Sequence, residues 1–291
     1  MAPRRTIAEL LSSRHPLVLP GVWDALSARI AADSGFEALF LSGFAISVAR
    51  LGSPDIGLLT QTEMLDTARQ VCAAVPCPVV VDADTGYGGA ANVERTVREL
   101  VRAGAAGCFL EDQVWPKRCG HLPGKRVVPL AEYLPKLRAA LRARGDAPFH
   151  VTARTDARAV AGLDEAIARA RAFAEHGADA VFVEAPESIE EMARIRAALP
   201  PEVTLVANMV DGGRTPLRPA AQLAAAGFQL VVVPVAGLLG AAHALREVFG
   251  ALARDGATSA VSDRLLDFAR LNALVGLDAA LASATDLPLQ P

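Results

Sequence analysis

The chain predicts an α/β fold, a (β/α)8 barrel with extra C-terminal helices, on three observations. Eight short apolar runs alternate with Ala/Leu/Arg-rich amphipathic stretches, at about 30 residues per unit. Small-residue turns containing glycine lead into several runs, and nearly every run ends on a polar residue. Strands that alternate with helices require a parallel sheet, and eight such units suffice to close it.

In order, the runs are LVLPG at 17–21, ALFLSG at 38–43, PVVVDAD at 78–84 and GCFLEDQ at 107–113, then FHVTARTD at 149–156, AVFVEA at 180–185, TLVANM at 204–209 and QLVVVP at 229–234. Their β-branched and aromatic content suits short buried strands. The turns AGAAG (103–107), HGADA (176–180) and AAGFQ (225–229) read as helix ends, where glycine terminates the helix before the next strand. Helical patterns near 237–252 and 262–275 follow the eighth run, one helix more than a closed barrel needs. No Pro/Gly/Ser-rich linker or composition break interrupts the chain. Residues 1–291 are therefore expected to form one barrel domain, with 255–291 a C-terminal helical extension.

Composition excludes several classes of function. With 291 residues, 52% hydrophobic, the chain can bury a large core, and a net charge of -3 predicts neither nucleic acid nor an anionic membrane as partner. No apolar segment approaches the roughly 20 residues of a membrane span, and the N-terminus lacks the apolar core of a signal peptide, so a cytoplasmic location is expected. The four cysteines, at 72, 77, 108 and 119, form no CxxC pair, which argues against a disulfide framework or structural zinc. Cys72, Cys77 and Cys108 lie in apolar runs and read as core residues.

In barrels of this kind the carboxyl ends of the strands carry the chemistry. The polar residues there are Ser42, Asp82 and Asp84, Glu111 and Asp112, Arg154 and Asp156, Glu184 and Asn208. Asp82 and Asp84 are two apart and share a face, and Glu111 ends the neighbouring strand, so three anions crowd one corner and need a cation. Oxygen donors without His or Cys favour Mg²⁺, with Mn²⁺ the alternative, over zinc. Asp55, in the loop after the second strand, is placed to add a water-mediated contact.

The most chemically loaded segment is Lys117-Arg118-Cys119-Gly120-His121, just beyond the fourth strand. Two of the chain's three lysines, Lys117 and Lys125, fall in this loop. A thiol among cations is expected to have its thiolate stabilised, and Gly120 lets the backbone approach a ligand closely.

Several motifs in fixed order, LSGFA (41–45), DADTGYGG (82–89), LEDQVWPKRCGH (110–121), ARTDA (153–157), VEAPE (183–187) and NMVDGGRTP (208–216), resemble the isocitrate lyase and phosphoenolpyruvate mutase superfamily over roughly 15–250. The resemblance implies a Mg²⁺-dependent barrel acting on small 2-oxo or 2-hydroxy dicarboxylates. It also implies a homotetramer, a dimer of dimers that exchange the last barrel helix. The KRCGH loop is similar to that of the members that cleave carbon–carbon bonds. In that branch Cys119 would protonate the departing carbanion, Arg154 and the metal would stabilise the oxyanion, and Lys117 would reach substrate when the loop closes. Lowering of the Cys119 pKa by its cationic neighbours would suit the acid role. His121 would orient Cys119, bind a carboxylate or shape the loop. Ser42, Gly43, Phe44, Gly120, Glu184, Asn208 and Pro234 would line the substrate pocket, with Asp84, Asp82, Asp55 and Glu111 at the metal. Phe44 has no hydroxyl, which leaves Glu111 or a water on the metal as the base.

Among substrates, the resemblance favours a 2-alkylmalate, cleaved to a 2-oxo acid and a carboxylate. Methylisocitrate lyases usually carry an Arg shortly after the proline that ends strand eight, whereas Pro234 here is followed by Val-Ala-Gly-Leu-Leu. Oxaloacetate hydrolases tend to place Ser at the Pro234 position. Those two activities, a carboxyphosphonoenolpyruvate mutase-like reaction and a non-catalytic 2-oxo acid binding protein are the alternatives.

Overall fold

Eight parallel strands close into a barrel in strict sequence order: β1 (Leu17–Val22), β2 (Leu39–Leu41), β3 (Val79–Asp82), β4 (Gly107–Glu111), β5 (His150–Thr155), β6 (Ala180–Val183), β7 (Thr204–Asn208) and β8 (Leu230–Val233). β8 pairs with β1 through Leu17↔Leu230 and its successors, which completes the closure. The structure, a computed structural model, describes residues 4–13 and 16–285. The expected fold is the observed one; β1 gains Val22, and the other seven strands are trimmed by one to three residues where the runs pass into loops.

Side chains alternate inward and outward along a strand, so one interior column per strand carries both core and chemistry. Inside the barrel, Phe40, Val80, Phe109, Phe182, Val206 and Val232 form an apolar layer. Phe109 stacks between Phe40, at 4.9 Å, and Phe182, at 5.8 Å, as tilted and edge-on pairs. Two residues further along the same columns stand Ser42, Asp82, Glu111, Glu184, Asn208 and Pro234, with Arg154 in the same relation to buried Thr152. The opposite mouth is plugged by the helix Ile7–Ser13, which packs Ile7, Leu10 and Leu11 against Leu17, Leu19 and Leu230. Outward-facing strand residues meet the surrounding helices in a second, larger apolar layer.

Gly104, Gly177 and Gly227 close their helices at positive φ, as expected from the three turns. Gly21 has a different purpose: a Cβ there would fall 2.0 Å from the carbonyl oxygen of Pro234, so only glycine lets the end of β8 lie across β1. The first helix after β8 runs Ala236–Asp255, longer than expected. The expected helix at 262–275 is broken into a 3-10 turn at Ser259–Arg264 and a helix at Phe268–Leu274, because Asp267 caps a new start by accepting from the Arg270 amide at 3.0 Å. A last helix spans Leu277–Thr285, and the rest of the expected extension, 286–291, lies outside the described residues. Among the described residues no helix is long and apolar enough to cross a membrane.

Candidate active site

The strand ends and the loop 117–121 enclose a cavity of about 150 Å³ over the aromatic layer. Ser42, Phe44, Asp55, Asp82, Glu111, Lys117, Cys119, Gly120, His121, Arg154, Glu184, Asn208 and Pro234 line it. Of the expected site residues, Asp84 and Gly43 do not reach its wall. Asp84 is buried behind Lys117, and Gly43 packs so closely on Asp82 that a Cβ would lie 3.0 Å from Oδ2. Asp112 also stays out. It accepts from the Thr155 hydroxyl, the Asp156 amide and the Arg169 guanidinium at 2.7–2.9 Å, and it braces β4 against β5.

Ser42 caps the helix Gly43–Leu51, accepting from the Ala45 amide at 3.3 Å. The amides of Gly43 and Phe44 are thereby left at a helix N-terminus beside the cavity, a natural seat for a carboxylate.

The acidic corner is held by backbone as well as by strand register. Asp84 sits at φ 48, a left-handed conformation unusual outside glycine, and its carbonyl accepts from the Glu111 amide at 2.9 Å, which ties the ends of β3 and β4 together. Lys117 Nζ lies 2.6 Å from Asp55 Oδ1 and 2.6 Å from Asp84 Oδ1. Apart from that ion pair, Asp84 Oδ2 and Glu111 Oε1 are buried without a hydrogen-bond partner. Burial pushes the Asp84 carboxyl up to about 7, against the pull of Lys117, and Asp82 and Asp55 add to the rise. Burial also drives Glu111 well above the carboxylate range, offset only in part by Arg154. Unsatisfied buried carboxylate oxygens fit a hard divalent cation, with Asp84, Asp82, Glu111 and Asp55 the donors within reach. Among the described residues no three acidic, His or Cys side chains converge tightly enough to cage a metal, and Lys117 neutralises the corner.

Arg154 is fixed by a two-point contact to Asp156, at 2.9 and 3.1 Å, and reaches Glu184 at 3.1 Å and Glu111 at 3.3 Å. Its guanidinium carbon also lies 5.3 Å from the centre of the Phe182 ring. Burial would raise Glu184, but Arg154, His121 and Lys125 outweigh it and hold the carboxyl well below its ordinary range. Asn208 donates to both Glu184 oxygens at 3.3 Å.

The loop is pinned over the site at several points. The Cys119 amide donates to the Asp55 carbonyl at 3.0 Å, and Lys125 Nζ bonds both the Gly120 carbonyl and Asp156. His121 Nδ1 accepts from the Arg214 amide at 3.0 Å, so Nε2 carries the hydrogen and faces Glu184 Oε1 at 3.4 Å. A Cβ on Gly120 would come within 2.5 Å of both Arg154 and Glu184, which is why this position is glycine.

The expectation that cations lower the Cys119 thiol pKa is wrong. Burial pushes it up to about 11, and Asp55 and Glu184 add to the rise, while Arg154 opposes it. Lys117 is spent on Asp55 and Asp84, and Arg118 turns outward to the Pro123 carbonyl at 3.1 Å. Cys119 therefore stands protonated at neutral pH.

Sequence reasoning did not assign Lys125 and Asp156 as the braces of loop and Arg154, nor Val210, Asp211, Val235 and Leu239 as cavity wall. The scarcity of lysine was the available signal for Lys125.

Comparison with known proteins agrees with this geometry. The family model described as phosphoenolpyruvate phosphomutase matches residues 7–253. The chain is 46% identical over 92% of its length to carboxyvinyl-carboxyphosphonate phosphorylmutase of Arabidopsis thaliana, covering 80% of that protein. It is 44% identical to 2,3-dimethylmalate lyase of Eubacterium barkeri, with 93% of each chain covered. An oxaloacetate acetylhydrolase solved with 3,3-difluorooxalacetate superposes with a TM-score of 0.91 at 38% identity, over 96% of this chain and 95% of that one. The chain belongs to the phosphoenolpyruvate phosphomutase family, in the lyase branch of the isocitrate lyase/PEP mutase superfamily.

Proposed function

We propose that the protein is a Mg²⁺-dependent carbon–carbon lyase that cleaves a 2-hydroxy dicarboxylate of the 2-alkylmalate type to a 2-oxo acid and a carboxylate. One observation carries the reading: a protonated, half-buried thiol, Cys119, shares a small cavity with Arg154 and with Glu111, whose buried Oε1 has no hydrogen-bond partner. A general acid must hold its proton until the transition state, and burial keeps this one in place. The relatives named for dimethylmalate and oxaloacetate chemistry support the substrate class.

Asp84, Asp82, Glu111 and Asp55 would hold Mg²⁺, with Mn²⁺ a possible substitute; bound there, the ion would polarise the substrate's 2-oxygen and a carboxylate oxygen. The Gly43 and Phe44 amides seat a carboxylate. Glu111, whose buried Oε1 has no hydrogen-bond partner, would take the 2-hydroxyl proton. As the C2–C3 bond breaks, its electron pair passes to the departing acid, and the Cys119 proton is delivered to C3. Arg154, oriented by Asp156, stabilises charge on the 2-oxygen. Lys117 moves from Asp84 toward the substrate, and Glu184, His121 and Asn208 keep the wall polar and aligned.

The chain would work as a single barrel unit in the cytoplasm and assemble as a homotetramer, a dimer of dimers that exchange the last barrel helix. Phe249 and Phe268, 61% and 78% exposed, present the apolar face such an exchange would cover. Proton NMR of the Mg²⁺-supplied protein with 2-alkylmalates, 2,3-dimethylmalate, 2-methylisocitrate, oxaloacetate and phosphonopyruvate tests the reading. Cleavage of an alkylated malate supports it. Turnover of phosphonopyruvate alone favours the mutase-like alternative, and binding without turnover favours a 2-oxo acid binding protein.

A further inference from the structure

The turn between β3 and the helix Ala90–Arg102 holds a buried group that the reaction above does not use. Tyr87 stands outside the cavity wall, yet its hydroxyl is buried and has no hydrogen-bond partner among the described residues. A buried hydroxyl left unpaired destabilises the fold, which points to a partner that arrives after folding.

Backbone and ring contacts hold the side chain in place. Asp84 and Tyr87 both adopt left-handed conformations, at φ 48 and φ 61. Between them, the Gly86 amide donates to the Ala83 carbonyl at 2.8 Å, and the Gly86 carbonyl accepts from the Thr96 hydroxyl at 3.3 Å. The Tyr87 ring lies 5.9 Å from the Trp115 ring, tilted by 57°. Trp115 stands two positions before Lys117, so this contact joins the β3 turn to the loop that reaches Asp55 and Asp84. Burial pushes the Tyr87 phenol well above its ordinary pKa, and the Asp84 and Asp82 carboxylates lie near enough to add to the rise. The hydroxyl therefore remains a donor. Asp84 Oδ2, an acceptor in the same turn, is also buried without a hydrogen-bond partner. A donor and an acceptor so placed, unbonded to each other, suit a hydrated cation: Mg²⁺ keeps several waters, and carboxylates that ligate a metal are themselves hydrogen-bonded.

Resting on the Mg²⁺ reading of the acidic corner, we propose that Tyr87 is a positioning residue for the metal: when the corner is loaded, its hydroxyl donates to the Asp84 carboxylate, directly or through a water, and orients it toward the ion. It touches neither substrate nor the reacting atoms.

Calorimetry of Mg²⁺ binding to the full chain, combined with thermal unfolding with and without Mg²⁺, tests this without requiring turnover. Tyr87→Phe keeps the ring on Trp115 and removes only the hydroxyl. The variant should bind Mg²⁺ about tenfold more weakly than wild type. Without metal it should unfold at the wild-type temperature or above, because the missing hydroxyl had no partner there. At one fixed Mg²⁺ concentration its gain in unfolding temperature should be smaller than that of wild type. Mg²⁺ affinity equal to wild type would overturn the proposal, and so would an equal loss of stability with and without Mg²⁺, which marks a structural role. A wild type that binds no Mg²⁺ would overturn the metal reading and the proposal together. Tyr87-dependent Mg²⁺ binding in a protein that cleaves no malate would leave the proposal standing and remove the lyase reading. Cleavage of a malate with equal Mg²⁺ affinity in the two proteins would do the reverse.

Discussion

Cys119 is set by burial rather than by its cationic neighbours in sequence, and that difference is measurable. With its pKa pushed up to about 11, the thiol should be alkylated slowly at neutral pH, and the rate should climb as pH rises toward 11. A plateau near pH 8 would mean the thiolate is stabilised after all. Gly120 offers a second check at this scale. Gly120→Ala forces a methyl into Arg154 and Glu184, and should cost at least tenfold in kcat while thermal unfolding shifts little, since the loop lies outside the barrel core. Lys117→Met leaves Asp55 and Asp84 without their cation. Calorimetry should show Mg²⁺ binding more tightly to the variant than to wild type, together with loss of turnover. Weaker metal binding would show that Lys117 does not compete for that corner.

Within the elements, the period of two along each strand made most of the site legible. Ser42, Asp82, Glu111, Arg154, Glu184 and Asn208 stand two positions beyond inward-facing residues, so reading the strands placed their side chains on one face. What stayed hidden was the pairing among them. Asp156 and Lys125 are far apart in sequence, and only the closed barrel and folded-over loop show that one fixes Arg154 and the other the Gly120 carbonyl. Asp112 read like its neighbour Glu111, but the pleat sends it to the opposite side, onto Arg169. The broken helix at 259–274 was missed because its apolar periodicity continues across a local cap at Asp267. At the base of β5, His150 is buried and its Nε2 has no partner, and burial pushes its pKa down to about 4. A histidine whose folded pKa is lowered takes up its proton on unfolding, so its contribution to stability is present above about 6.5 and is lost as pH falls toward 4, on the order of 3 kcal/mol. Urea unfolding across pH 6.5 to 5 should show this slope in wild type and a shallower one in His150→Gln. Equal slopes would mean that His150 is charged in the folded barrel.

For the molecule as a whole, the barrel separates stability from chemistry. The plug helix and the aromatic layer fill the bottom and middle, so the top can carry six carboxylates (Asp55, Asp82, Asp84, Glu111, Asp156 and Glu184) against three cations (Lys117, Lys125 and Arg154). Six carboxyl groups against three cations would suit a divalent ion, and Lys117 ties the loop to the acidic corner of Asp55 and Asp84. In the assembly proposed above, the apolar surface along the last helices is what a partner protomer would cover. Phe249→Asp should reduce the sedimenting species from tetramer to a smaller form, and an unchanged tetramer would place the interface elsewhere. If a protonated Cys119 completes the carbon–carbon cleavage, its proton is traced by cleaving 2,3-dimethylmalate in D₂O with Mg²⁺ and following the products by proton NMR. Wild type should release pyruvate and propionate carrying one deuterium beside the carboxylate, and Cys119→Ser should bind ligand but cleave about 10²–10⁴-fold more slowly. Equal rates of deuterated propionate formation by the two proteins would contradict it.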